Sequence, residues 1–345
     1  MTRQLKNDKI IAANAKNIKE PLLCGNLIMK ILHDVHNHSL LSSCCYDPVA
    51  TVENFVNKAR ELGHKVFGIS NHLWDEKVPG ASGWYQKQMI NYGLEARNSV
   101  PKDTGDVKVL IGTESEYLGA TDTLGILAET GARFDYVLIP HTHTHMKNFV
   151  INEMPEVKEY RGLLREKVAA AFPDLSEPLV KKMVNSLSNN DVEALCGVSL
   201  EAVMKYHADF MVTSFHQLMN NPEFIKLAKT VPTSVAHPFH PCGFGSETRC
   251  AIMNSVSDED YLSCFEEAKK LGVYIEVNTG AINQKADNYA NEAGIRMLKL
   301  AKQAGCKFTF GTDSHSLAGL DNIRQGDVIS EVCGITECDL ADYVK

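Results

Sequence analysis

The chain has no CxxC pair, no GxGxxG turn, no surplus of positive charge, and no apolar run near the ~18 residues that a membrane helix needs. The scattered cysteines, several inside apolar runs as Cys264 and Cys306 are, exclude a disulfide framework and fit the reduced, buried thiols of a cytoplasmic protein. A net charge of −8 argues against gripping nucleic acid by bulk electrostatics, so only a local basic patch could do so. The opening MTRQLKNDKIIAANAKNIKE lacks an apolar h-region, and no signal peptide is expected. Repeats and low-complexity tracts are missing too. With 44% apolar and 23% charged residues, disorder, collagen and coiled coil are excluded. At 345 residues the chain suits two domains or one large α/β barrel.

What is present is an alternation of short β-like runs and amphipathic helical stretches, beginning near residue 29 after an N-terminal arm (1–28). IMKILHDVH (29–36) reads as a strand. Asp47-Pro48 then reads as the N-cap and first turn of a helix whose apolar positions run from Val49 to Leu62, closed by Gly63. VFGIS (66–70) follows as a strand. The helix–Gly–strand unit recurs at 258–271 with Gly272 and VYIEVNT, and at 290–304 with Gly305 and CKFTFGT; Ser257 and Asp260 make a capping-box-like start to the former. VKVLIGTES, DYVLIP and TSVAHP supply further strands. About seven strands separated by helices, without a Rossmann glycine turn, favour a parallel α/β barrel over residues 29–345. Between about 147 and 230 the rhythm gives way to charged helical segments, which reads as a helical insertion over the barrel mouth or a small subdomain.

The polar residues gather where barrel chemistry gathers, at the C-terminal ends of the strands. His36 and His38 lie two apart, and in an extended chain such residues face the same way, so both rings can reach one ion. His72 ends the second strand and Glu114 the third, with Glu116 equally available. His141, His143 and His145 follow the fourth. His237 ends the next, with His240 close behind, and Asp313 and His315 end the last. Imidazoles and carboxylates without organised cysteine point to Zn, Mn or Fe.

In that order, Asp34-Val35-His36-Asn37-His38, Ser70-Asn71-His72, Gly112-Thr113-Glu114, the 141–145 run, His237-Pro238 and Asp313-Ser314-His315 resemble the signatures of the PHP family, named for polymerase and histidinol phosphatase. IEVNTGA (275–281) also looks like the element preceding that family's last metal motif. The resemblance spans roughly 30–320 and implies a distorted (β/α)7 TIM-like barrel, the PHP fold, with two or three divalent ions in its mouth. One ion takes His36, His38, Glu114 and Asp313. A second takes Glu114, His237 and a histidine of the 141–145 run, of which His143 is preferred to His141 because it stands further beyond the strand. A third takes His72 and His315 with a residue after HxH. There the family often has a His or acid and this chain has Cys44-Cys45, so either thiolate is open as a ligand. Asn71 stands where the family's Asp is usual.

The expected activity is hydrolysis of a small phosphate monoester, in the manner of histidinol phosphatase, with Glu114, His237 and Asp313 as the catalytic set. Arg161, Arg165 and Arg249 are candidates to grip the phosphate. The alternatives are a nucleotide or oligonucleotide phosphatase or exonuclease of the same family, less suited to the net charge, and an amidohydrolase-type C–N hydrolase, which usually wants a bridging lysine absent from these motifs. The remaining alternative is a non-catalytic metal-binding module.

Overall fold

The structure, a computed structural model, describes residues 29–186, 195–282 and 293–345; the expected N-terminal arm and the first residues of the expected helix 290–304 lie outside them. At the centre stand seven parallel strands. They are β1 (His33–Asp34), β2 (Val66–Ile69), β3 (Lys108–Ile111, continued beyond Gly112 by Thr113–Glu114), β4 (Val137–Ile139), β5 (Thr233–Val235), β6 (Tyr274–Asn278) and β7 (Phe308–Gly311).

Each strand pairs with the next in chain order, through registers such as His33↔Val66, Val66↔Lys108, Thr113↔Val137, Val137↔Thr233, Val235↔Ile275 and Ile275↔Phe308. The ring closes between first and last. Val35 N donates to Phe310 O at 3.0 Å, and His38 N donates to Ser314 O at 2.9 Å. The expected (β/α)7 barrel is therefore what forms. Residues of β2, β4, β5 and β7 are buried on both faces, and β2 and β4 accordingly read as continuous apolar runs rather than alternating ones.

Gly112 lets β3 change partners. Before it the strand pairs with β2, after it with β4, and a Cβ there would strike the Tyr136 ring that fills the barrel.

Helices follow the strands. Val52–Leu62 buries Val52, Phe55, Val56 and Ala59, and ends on Gly63 in the left-handed conformation, φ 79°. Its start differs from the expectation. Thr51 is the N-cap, accepting from Asn54 N, while Asp47-Pro48 forms a separate turn in which Ala50 N donates to Asp47 O. Asp and Pro serve a turn and a helix start equally well, and Asp47 Oδ2 also accepts from Leu317 N beyond β7. Asp258–Leu271 starts on Ser257 as expected and ends on Gly272. Ala293–Ala304 and Gln325–Cys333 complete the ring.

Among the described residues, the charged stretch after β4 holds four helices in two roles. Leu200–Asn220 buries His207, Ala208, Met211, Phe215 and Leu218 in the barrel core, and Pro222–Thr230 packs beside Ala128–Gly131. Pro155–Ala171 and Glu177–Ser186 pack on each other, and Val157 is the one buried residue of the former. Among the described residues no helix is long and apolar enough to cross a membrane.

Candidate metal centre

All eight expected ligands lie at one end of the barrel; six of them are buried at the bottom of its mouth, and Asp313 and His315 are half-buried. Glu114 is the hub. Its Oε2 lies 3.2 Å from His36 Nε2, 3.1 Å from His38 Nε2 and 3.3 Å from His72 Nδ1, while its Oε1 lies 3.2 Å from His237 Nε2. Asp313 closes one side, with Oδ1 3.4 Å from His36 Nε2 and 3.2 Å from His38 Nε2. His38 stacks between His72 and His315, at ring-centroid distances of 4.4 and 4.6 Å.

Among the described residues, ligand-capable atoms lying within 4.8 Å of one another fall into three groups: His36, His38 and Glu114; His143, His237 and Cys242; and His38, Cys44, His72 and His315. The backbone is strained at two of the expected ligands. His237 has φ 29° and Asp313 φ 52°, left-handed conformations costing about 1–3 kcal/mol each and typical of sites where a side chain must point one way.

The donors fit a cation. The Nε2 atoms of His36 and His38 lie 3.1 Å apart, facing the two carboxylates. Four tetrahedral ligands at about 2.0–2.1 Å from one zinc are themselves about 3.3 Å apart, close to the spacings observed. Protons alone satisfy such a cluster poorly, since Nδ1 of His38 and of His237 remain buried without a hydrogen-bond partner.

Electrostatics follow the clustering. Burial alone would raise Glu114, yet His72, His36 and His237 hold its carboxyl well below the usual range, and His36 and His38 do the same for Asp313. Burial opposes charge on His36, but Glu276, Asp313 and Glu114 outweigh it and hold the ring well above its ordinary value. Burial also resists ionisation of Cys44. The surrounding His38, His315 and His72 reverse that and bring its thiol down to about 3. Cys45 is different. Its Sγ donates to His315 O, and burial pushes its pKa up.

A second layer of carboxylates fixes the rings. Glu276 Oε1 lies 2.6 Å from His36 Nδ1, and its Oε2 accepts from His237 N at 2.6 Å. Glu116 Oε2 lies 2.5 Å from His143 Nδ1 and accepts from the Tyr85 hydroxyl at 2.9 Å, which its own burial and Glu116 keep protonated. Burial resists charge on His143, but Glu116 raises it to about 9. In each case a proton on Nδ1 leaves the Nε2 lone pair for the cluster.

His141 does other work. Its Nε2 accepts from Phe239 N, its ring lies edge-on to Phe215 and Phe239, and burial takes its pKa to about 3. Asn71 Oδ1 accepts from Ser39 N at 2.8 Å, so the residue in the usual Asp position anchors the loop behind HxH. Asp34 accepts from His36 N, Asn37 Nδ2, and both Thr312 N and Thr312 Oγ1, tying the first strand to the last.

Comparison with known sequences decides the family. The PHP domain model matches residues 34–280. The chain belongs to the PHP domain family. That match spans β1 to β6 of the PHP barrel, with Asp313 and His315 beyond it. No curated protein matches the chain. Among solved structures, the histidinol phosphate phosphatase of Lactococcus lactis subsp. lactis Il1403, in complex with zinc, L-histidinol and phosphate, is similar at 14% identity and a TM-score of 0.43, covering 89% of this chain and 95% of that chain.

The PHP domain places three residues at its site that reading the sequence had not singled out. Cys242 joins His143 and His237; its signal was its place directly after His237-Pro238-Phe239-His240-Pro241. Glu276 was visible as an acid in the middle of an apolar strand, a costly position unless the charge is used. Tyr85 left no signal. Of the three arginines, Arg249 lines a cavity with His237, Asp313 and His315, and its Nε is buried without a partner. Arg161 and Arg165 line a different cavity.

Proposed function

We propose that the protein hydrolyses a phosphate monoester at a centre of two or three divalent ions, Zn, Mn or Fe, held by its barrel mouth. The observation that carries this is the convergence of His36, His38, His72 and His237 on the two oxygens of Glu114, with Asp313 facing the first pair. One ion is assigned to His36, His38, Glu114 and Asp313. A second is assigned to Glu114, His143 and His237 with Cys242 alongside, and a third to His72, His315 and Cys44. Such ions, when bound, supply a water acidified toward neutrality and neutralise charge on the phosphoryl oxygens.

The protein's own groups do the rest. Glu114 is placed to bridge, one oxygen toward each of two ligand groups. Glu276 and Glu116 hold His36 and His143 in one tautomer. Arg249 faces the same mouth, where its guanidinium can take phosphoryl oxygens. His240 lines the same wall beside Arg249. Trp84, Tyr85 and Met146 form the apolar side of a cavity of about 410 Å³ over the ligands, which limits water around the reacting ester.

The test is turnover. Purified protein should hydrolyse p-nitrophenyl phosphate and a subset of phosphorylated metabolites, lose that activity on chelation and regain it with added Zn or Mn. No hydrolysis of any monoester by metal-loaded protein, or hydrolysis indifferent to chelation, would overturn the reading.

A further inference from the structure

Next to the metal cavity lies a second one of about 450 Å³, sharing His145 and Met146 as a common wall. Its lining is basic. Lys147 stands just beyond the β4 motif, Arg161 and Arg165 come from Pro155–Ala171, and Lys181 comes from Glu177–Ser186; Glu153 is the one acid among the described lining residues. That acid is already engaged: Arg161 Nε donates to Glu153 Oε1 at 2.8 Å, and Lys147 Nζ lies 4.0 Å from the same oxygen. Arg161 nevertheless keeps Nη2 buried with no hydrogen-bond partner. A donor on a charged group left unmatched out of water is unfavourable, and an incoming anion would satisfy it.

We infer that this cavity receives a second anionic group of the substrate, a phosphate or a carboxylate, while the phosphoryl group to be cleaved sits at the metal centre. The inference rests on the phosphoesterase reading and narrows its substrate class. The guanidinium forks of Arg161 and Arg165 and the Lys181 ammonium, against Glu153 among the described lining residues, match the charge and planar geometry of such anions. The same surplus of positive charge disfavours a substrate whose distal end is a cationic amine. His145 and Met146 line both cavities, so a molecule spanning the two would lie against those side chains. The paired helices that carry three of the four cations pack on each other and bury Val157, Val180 and Val184 among their described residues, which fits a role in reading the substrate rather than in holding the fold.

Matched phosphate esters test this. Metal-loaded protein is assayed with alkanediol monophosphates, the corresponding bisphosphates and the corresponding ω-carboxyalkyl phosphates over a range of chain lengths. At the best length, the doubly anionic ester should exceed its monophosphate in kcat/KM by about tenfold or more, the scale of a charge-assisted contact that remains partly wet. Whichever anion gives the larger ratio identifies the group. In the Arg165→Gln/Lys181→Gln double variant the ratio should fall toward one, while Lys167→Gln, exposed on the same helix, keeps it. Equal kcat/KM across matched pairs in the parent protein, or an unchanged ratio in the double variant, would overturn the inference and leave the phosphoesterase standing. No hydrolysis of any of these esters would overturn both.

Discussion

Glu114 and Glu116 are the same residue type, both buried, two positions apart along one strand end, and they have different work. Glu114 faces four imidazoles across both of its oxygens, whereas Glu116 faces one imidazole and one phenol. Glu114→Gln keeps the volume and removes the charge that two ligand groups share. It should lower kcat at least about 10²-fold and reduce bound metal, with the circular-dichroism spectrum unchanged. Glu116→Gln loses only the anchor of His143 and should cost about 10–100-fold in metal affinity or activity, as removing such outer partners does. The reverse ranking in steady-state kinetics would mean that the hub has been misplaced. The neighbouring thiols separate in the same way. The Cys44 pKa is brought down to about 3 by the rings around it, so its thiolate persists as pH falls from the ordinary thiol range of about 8.5. In metal-free protein at about pH 6, iodoacetamide should therefore modify Cys44 and spare Cys45, whose pKa is raised. Peptide mapping by mass spectrometry that found Cys45 labelled as fast as Cys44 would contradict this.

At the scale of elements, a short strand delivers a ligand only if its neighbours leave room. Gly311 of β7 shows the constraint, because a Cβ there would strike the Cβ of His36 and Oε1 of Glu276. Gly311→Ala should push that pair apart and weaken metal binding by about tenfold, with a smaller loss of stability, measured by metal titration and urea unfolding on the same preparation; unchanged affinity would show that the pair does not set the site. Much of this level was legible in the sequence. Strand ends carrying His36, His38, His72, Glu114, His237, Asp313 and His315 could be read because fully buried strands leave apolar runs that stop abruptly at polar groups. Helix ends at Gly63 and Gly272 could be read because left-handed caps favour glycine. The start at Thr51 could not, because Asp47-Pro48 satisfies the local rules of a helix start and is held instead as a turn by contact with the loop after β7. Nor could Glu276, Cys242 and Tyr85 be assigned, since their roles exist only through partners distant in the chain: Glu276 and His36 are 240 positions apart.

Over the whole molecule, the barrel gathers buried histidines and carboxylates that would be unfavourable together without a cation. That cost is borne by closure of the ring, by strained backbone at His237 and Asp313, and by the second layer of Glu276, Glu116 and Asn71. The helices from 155 to 186 stand apart from that scaffold, and the basic cavity they wall is where substrate choice is proposed to reside. The central claim is that the mouth is a multinuclear metal site, and metal stoichiometry tests it most directly. Three groups of ligands with more donors than one tetrahedral ion can use predict two to three equivalents of Zn, Mn or Fe per chain, measured by inductively coupled plasma mass spectrometry after chelator-free purification. One equivalent or fewer, with none regained on titration with these metals, would contradict the account.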